Sequence, residues 1–411
     1  MVLEQCREGK EKEEEVGSML KLPEESHPDI SALSLKPRGP TNASPSPELG
    51  QETTTPPHRS HNPTNNLKRS DPFKFGSRYL EPTDDVFEFN AWDHVTPDAE
   101  YYSFAETQYQ KQRDAPVSDF DKKRFNTDPA KWWNRFYANN TSNFFKDRKW
   151  LQQEFPVLSE LTREGVGKKV VLEVGAGAGN TAFPVLAANG NEELMIHACD
   201  FSAKAVELMR TNAAYNAKHI HASVWDISSD NLPDGVEEET VDVVLLVFIF
   251  SALSPKQWDA AVKNVWRCLK LGGEVCFRDY GKGDLTQVRF KKERLLEENF
   301  YVRGDGTRVY FFEEGELRGI WGGRAEANDS VEGDVADTSN NHTKPDGDTL
   351  DIAEAKGLRN GDNYAPTSEH PFQIVSLGVD RRMLVNRQKQ LKMYRCWIQG
   401  RFKKPDAGSP S

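Results

Sequence analysis

Glu173, Gly175, Gly177, Asp200 and Asp226 are the residues whose types and spacing most plainly suit chemistry. Glu173 stands just before the glycine loop Gly175-Ala176-Gly177-Ala178-Gly179, which follows the apolar pair Val170 and Val171. A strand that ends in such a loop brings backbone close to a ligand. A dinucleotide fingerprint wants Gly-x-Gly-x-x-Gly. Counted from Gly175, its last position is Asn180; counted from Gly177 it is Ala182, which the looser pattern allows. Spacing alone therefore leaves a nicotinamide dinucleotide open. Glu173 weighs against it, because an acid beside the glycines repels a pyrophosphate and suits a ligand carrying a sulfonium and an ammonium group. Asp200 closes the segment "ACD", where a carboxylate can accept hydrogen bonds from both hydroxyls of a ribose. Asp226 closes "VWD", where it can receive an adenine amino group. S-adenosylmethionine is the ligand that matches all of these groups.

Such residues have to be presented at strand ends, and the sequence supplies the strands. From Lys168 onward, strand and helix patterns alternate. "KKVVLEV", "LMIHACD", "IHASVWD", "VDVVLLVFIF" and "GGEVCFRDY" read as strands. "NTAFPVLAAN" (interrupted at Pro184), "SAKAVELMRTNAAY" and "SPKQWDAAVKNVWRCLK" read as helices. This alternation implies a doubly wound α/β fold with a mostly parallel sheet, and the continuous apolar strands agree with burial on both faces. "FQIVSLGVDRRMLVN" and "QLKMYRCWIQGRF" read as a terminal antiparallel hairpin. A Rossmann-like sheet closed by such a hairpin is the class I methyltransferase layout. Ahead of it, "SFAETQYQKQ" and "DPAKWWNRFYANN" read as helices, the second with Asp128 as N-cap and Pro129 at its first position.

Composition bounds the rest. The chain has 411 residues and a formal charge of -11, which excludes a uniformly basic nucleic-acid coat and leaves local patches open. Residues 1–70 are rich in Pro, Ser, Thr, Glu and Asn and are expected to be disordered; 71–165 read as an aromatic, helical arm, 166–404 as the main domain, and 405–411 as a disordered end. Residues 322–351 interrupt the main domain with eight acids against Arg324 and Lys344, and are expected to be a disordered acidic insertion. The longest apolar stretch, Val241–Leu253, is too short to cross a bilayer. The five cysteines are odd in number, without a CxxC pair, and read as reduced thiols of a cytosolic or nuclear protein, with neither disulfides nor a metal.

The segments "WWNRFYANNTSNFFKDRKWL", "LEVGAGAGNT", "ACDFS", "FRDYG", "ENFYVRGDGTRVYFF" and "DRRMLVNRQKQLKMYRCWIQGRF" together resemble the tRNA N3-methylcytidine methyltransferases. "FGSRYL" and "FEFNAWD" resemble the longer cytoplasmic branch of that family. The resemblance runs from about Phe73 to Lys404 without the acidic insertion. It implies an S-adenosylmethionine-dependent enzyme that methylates the cytidine at position 32 of the anticodon loop. It implies further that Trp133 and Tyr137 lid the cofactor, that Gly175, Asp200 and Asp226 hold it, and that Val247 touches it. The implied partner is tRNA, with an aminoacyl-tRNA synthetase or another tRNA-recognition protein as a candidate second partner.

Arg278, Asp279 and Tyr280, in "FRDYG", are the candidate acceptor pocket: Asp279 for the cytosine amino group, Arg278 for its carbonyl or a phosphate. An Arg278–Asp279 ion pair is the structural alternative. Arg303 and Arg308 flank a turn with Gly304 and Gly306 and are expected to touch RNA. Arg381, Arg382, Arg387, Lys389 and Lys392 form a denser basic patch on the terminal hairpin, suited to phosphate. Methylation of a protein or small molecule, and a non-catalytic RNA-binding scaffold that keeps the fold, are the competing readings.

Overall fold

The computed structural model describes residues 78–142, 144–322 and 370–406. The expected disordered tail, most of the acidic insertion and the last five residues lie outside the described residues.

The sheet of eight strands is built as the alternation requires. β1 (Ala91–Asp93) belongs to the arm; β2 (Lys169–Val174), β3 (Leu194–Asp200), β4 (Ile220–Val224), β5 (Val241–Val247) and β6 (Leu269–Tyr280) form the parallel body. A second, three-stranded sheet holds β7 (Leu295–Glu297), β8 (Phe300–Val302) and β9 (Arg308–Tyr310). β10 (Gln373–Asn386) and β11 (Leu391–Lys403) are the terminal hairpin, antiparallel to each other and to β6. The large sheet runs β1-β10-β11-β6-β5-β2-β3-β4. Its order reverses at β2, whose neighbours are β3 and β5. An open parallel sheet binds ligands outside the strand ends at such a reversal.

The helices follow in the same way. α1 (Ala99–Arg113), α2 (Asp119–Thr127) and α3 (Pro129–Asn140) make up the arm, and short α4 (Leu151–Glu154) and α5 (Pro156–Leu161) lead into β2. α6 (Ala182–Ala187), α7 (Ala203–Arg210) and α8 (Trp258–Cys268) are the crossovers. α9 (Leu285–Val288) and α10 (Glu314–Gly322) complete the set. Asp128 caps α3 through the N–H of Lys131 at 3.1 Å, with Pro129 at its first position. Pro184 does not interrupt α6. The helix begins at Ala182, so the proline falls in the first turn, where no intrahelical donor is needed.

Burial follows the strands on both faces. Leu172 and Val174 pack with Phe250, Trp258 and Phe277 on one side, and Val171 packs with Leu158, Val185 and Val243 on the other. The arm is not a separate layer, because β1 pairs with β10 and extends the main sheet. Trp92 on β1 is wholly buried with Met383 and Tyr394 of the hairpin. The four described cysteines are free and buried. Among the described residues no helix is long and apolar enough to cross a membrane, and no group of three or more His, Cys, Asp or Glu is placed to hold a metal.

Candidate active site

A cavity of about 510 Å³ opens at the β2/β5 reversal. That size is in the range of small-molecule sites. Part of its lining is aromatic and acidic: Trp133, Tyr137, Asp200, Trp225, Asp226 and Val247. Another part is basic: Arg148, Arg289, Lys291, Arg294, Arg303 and Arg395.

The glycine loop also lines the cavity. Gly175 and Gly177 have φ of +66° and +59°, which side-chain-bearing residues rarely adopt. Space is short as well: a Cβ on Gly177 would lie 2.5 Å from the Tyr137 hydroxyl oxygen. Asp200 ties loop to strand. It accepts hydrogen bonds from the N–H of Gly177 at 2.8 Å and of Ser202 at 2.7 Å, with lone pairs left for a ligand. Its burial raises its pKa to about 6, against the lowering effect of those two N–H donors. Asp226 accepts from the N–H and hydroxyl of Ser228 through Oδ1, leaving its second oxygen for a ligand. It stands between Trp225 and Ile227, both of which line the cavity as apolar walls.

Trp133 and Tyr137 share the inner face of α3, with ring centroids 6.1 Å apart. Asn134, which sequence reasoning passed over, anchors this helix. Its Oδ1 accepts from the Ser202 hydroxyl and the Lys204 N–H at the start of α7. A lone amide inside the aromatic run "WWNRFY" was the available signal.

Glu173 occupies a different place from the one expected. It is 1% exposed and is not among the residues that line the cavity. Desolvation raises its pKa to about 7, opposed by Arg148, Thr181 and the N–H of Ala182. Its Oε2 is buried without a hydrogen bond. The period of a strand explains the difference: Glu173 points to the same face as Val171, toward α6, and not out of the strand end.

Of the acceptor candidates only Tyr280 lines the cavity. Asp279 is wholly buried and accepts from the N–H groups of Ser251 and Tyr280 at 2.8 and 2.9 Å. It braces the turn at Phe250–Ala252, and burial lifts its pKa to about 6. Arg278 is 2% exposed and reaches the opposite way. It donates to Asp380 at 2.6 Å and to Gln399, between the rings of Trp150 and Trp397. The Arg278–Asp279 ion pair is absent too, because adjacent residues of a strand face opposite sides.

The expected RNA contacts divide in the same way. Arg303 lines the cavity, 5.7 Å from the centroid of the Tyr280 ring. Arg308 lines the cavity but is spent inward. It is 5% exposed and donates to Asn126 at 2.9 Å and to the Ala252 carbonyl at 3.1 Å, and its burial lowers its pKa to about 10. Arg382 is paired with Asp93 at 2.7 Å, joining the hairpin to β1. Arg387 donates to the Asn90 side chain, and Lys392 is paired with Asp98. Lys389 is exposed near the hairpin tip, and Arg381 is half-buried. The basic lining residues that were missed, Arg289, Lys291 and Arg294, come from the run "RFKKER", whose density of charge beside an aromatic was legible.

Residues 172–275 match a methyltransferase domain. A tRNA N(3)-methylcytidine methyltransferase of Schizosaccharomyces pombe is 42% identical over 80% of this chain and 92% of its own length. The chain belongs to the tRNA N3-methylcytidine methyltransferases. A Saccharomyces cerevisiae relative, a tRNA(Thr) (cytosine(32)-N(3))-methyltransferase, is 46% identical over 82% of this chain, which spans 47% of that longer protein. A Drosophila melanogaster tRNA N(3)-methylcytidine methyltransferase is 37% identical over 82% of this chain and 90% of its own length. As a member of this family the enzyme uses S-adenosylmethionine to methylate cytidine in tRNA. The donor set of the cavity fits that cofactor: Asp200 and Asp226 are acceptors suited to hydroxyl and amino groups, the walls are apolar, and Tyr137 of the aromatic pair packs on the glycine loop.

Proposed function

We propose that the enzyme methylates N3 of cytidine 32 in the tRNA anticodon loop. The observation that supports this most is one cavity whose lining joins an aromatic and acidic set suited to the cofactor with a basic set suited to a polyanion. Bound S-adenosylmethionine supplies an electrophilic methyl group on a sulfonium. Asp200 and Asp226 hold the nucleoside part of the cofactor, and Trp133 and Tyr137 cover it and exclude water.

Cytosine N3 carries a lone pair and no proton at neutral pH, so the protein needs no general base. Its contribution is alignment, which can lower a barrier by several kcal/mol. N3 lies on the Watson–Crick edge, so the base has to be unpaired and turned into the cavity. Arg289, Arg294 and Arg303 line the cavity and would hold loop phosphates, while Tyr280 offers an aromatic surface to the base. Arg381 and Lys389, on the hairpin, would extend the phosphate track. The same basic lining favours a polyanion over a basic protein substrate.

Substituting uridine for cytidine 32 in a tRNA transcript tests the position. Methyl transfer should fall to background, while binding of the transcript stays within a few-fold. Undiminished transfer to that transcript would place the acceptor elsewhere.

A further inference from the structure

Phe248 is the first residue after β5, and its φ is +60°. A bulky side chain is disfavoured in that region, and such residues concentrate where a site demands an unusual direction. The demand is visible on both sides of it. Val247 lines the cavity, and Ile249 fills the space over Gly175, with Cγ1 only 1.8 Å from where a Cβ would sit. Between them the left-handed residue sets its ring against Tyr280, centroids 5.0 Å apart at 47°. The N–H of Phe248 donates to the Arg278 carbonyl at 2.8 Å, which holds the residue against β6. The Arg148 guanidinium stands 5.8 Å from the ring centroid. Phe248 therefore lines the cavity with Val247 and Ile249 beside it and Tyr280 and Arg148 against its ring.

We infer that Phe248 is the stacking surface for the acceptor base, forming with Tyr280 an aromatic corner that presents N3 to the methyl group. This inference rests on the tRNA-methylating function proposed above. In the step, the bond from methyl carbon to sulfur breaks as the bond to N3 forms, and the positive charge passes from sulfur to the cytosine ring. No proton moves. An aromatic face attracts a planar cation without binding it as firmly as a carboxylate would, so Phe248 favours the charged ring and still lets the product leave.

The test compares the full-length wild type with Phe248→Leu and Phe248→Tyr. Leucine keeps an unbranched Cβ and the apolar volume but removes the aromatic face; tyrosine keeps the face. Single-turnover methylation of tRNA should fall roughly ten- to a hundredfold in Phe248→Leu, the scale of one lost base stack, and stay within a few-fold in Phe248→Tyr. Titration with S-adenosylmethionine should be unchanged in both. A normal single-turnover rate in Phe248→Leu would overturn the inference, and so would a loss confined to cofactor affinity. If Phe248→Leu is unstable, an equal loss of rate in a stable Phe248→Tyr overturns it. Failure of the wild type itself to methylate tRNA would instead overturn the function on which the inference rests.

Discussion

At the scale of single residues, the acids behave according to the face they occupy rather than their position at a strand end. Asp200 faces the cavity and Glu173 does not, although both were placed by the same reasoning. Burial raises the Asp200 pKa to about 6 from an ordinary value of 3.8. Its charged form is therefore disfavoured in the folded protein. This group lowers stability above pH 6, and the penalty fades as pH falls toward 4. Cofactor binding runs the other way, because the carboxylate is the better acceptor for ribose hydroxyls. Affinity for S-adenosylmethionine should weaken as pH drops from 7 to 5, and Asp200→Asn should weaken it about tenfold at pH 7.5 and flatten that dependence. Isothermal titration across this range checks both; pH-independent affinity in the wild type would remove Asp200 from the ligand set.

At the scale of elements, the apolar rhythm of the chain fixed the parallel strands, the crossover helices and the terminal hairpin. Period-2 and period-3.6 patterns over long segments carry that information. What the rhythm did not carry was where a charged side chain finds its partner. "DRRMLVNRQK" reads as a basic patch, yet Arg382 lies opposite Asp93 of β1, a partner 289 positions away. The end of β5 at Val247 was equally hidden, because Phe248 is apolar and only its backbone departs from the strand. The Arg382–Asp93 pair is 14% and 10% exposed, so its loss leaves a mostly buried carboxylate with Arg78 as its remaining basic neighbour. Arg382→Gln should cost about 3 kcal/mol, measured as a fall in denaturant midpoint. Lys389→Glu, at an exposed position, should leave that midpoint alone and weaken tRNA binding. Equal stability of Arg382→Gln and wild type would return Arg382 to the solvent-facing patch.

At the scale of the whole molecule, an acidic chain carries a cavity with basic lining. Eight acids of the expected insertion account for much of the formal charge of -11, whereas the cavity lining gathers arginines from the segment after β6, the β8–β9 turn and β11. Net charge thus gave no indication of the substrate; its local distribution does. The residues proposed to hold the cofactor and those proposed to hold the polyanion line one cavity, and that shared lining is the basis of the proposed chemistry. The most direct measurement is mass spectrometry of nucleosides from tRNA lacking the modification, after incubation of the tRNA with the purified full chain and S-adenosylmethionine. The expected result is 3-methylcytidine approaching one per acceptor tRNA, sharply reduced with Asp200→Asn at limiting cofactor. A methyl group on another nucleoside, or methylated protein with unmodified tRNA, would contradict the account.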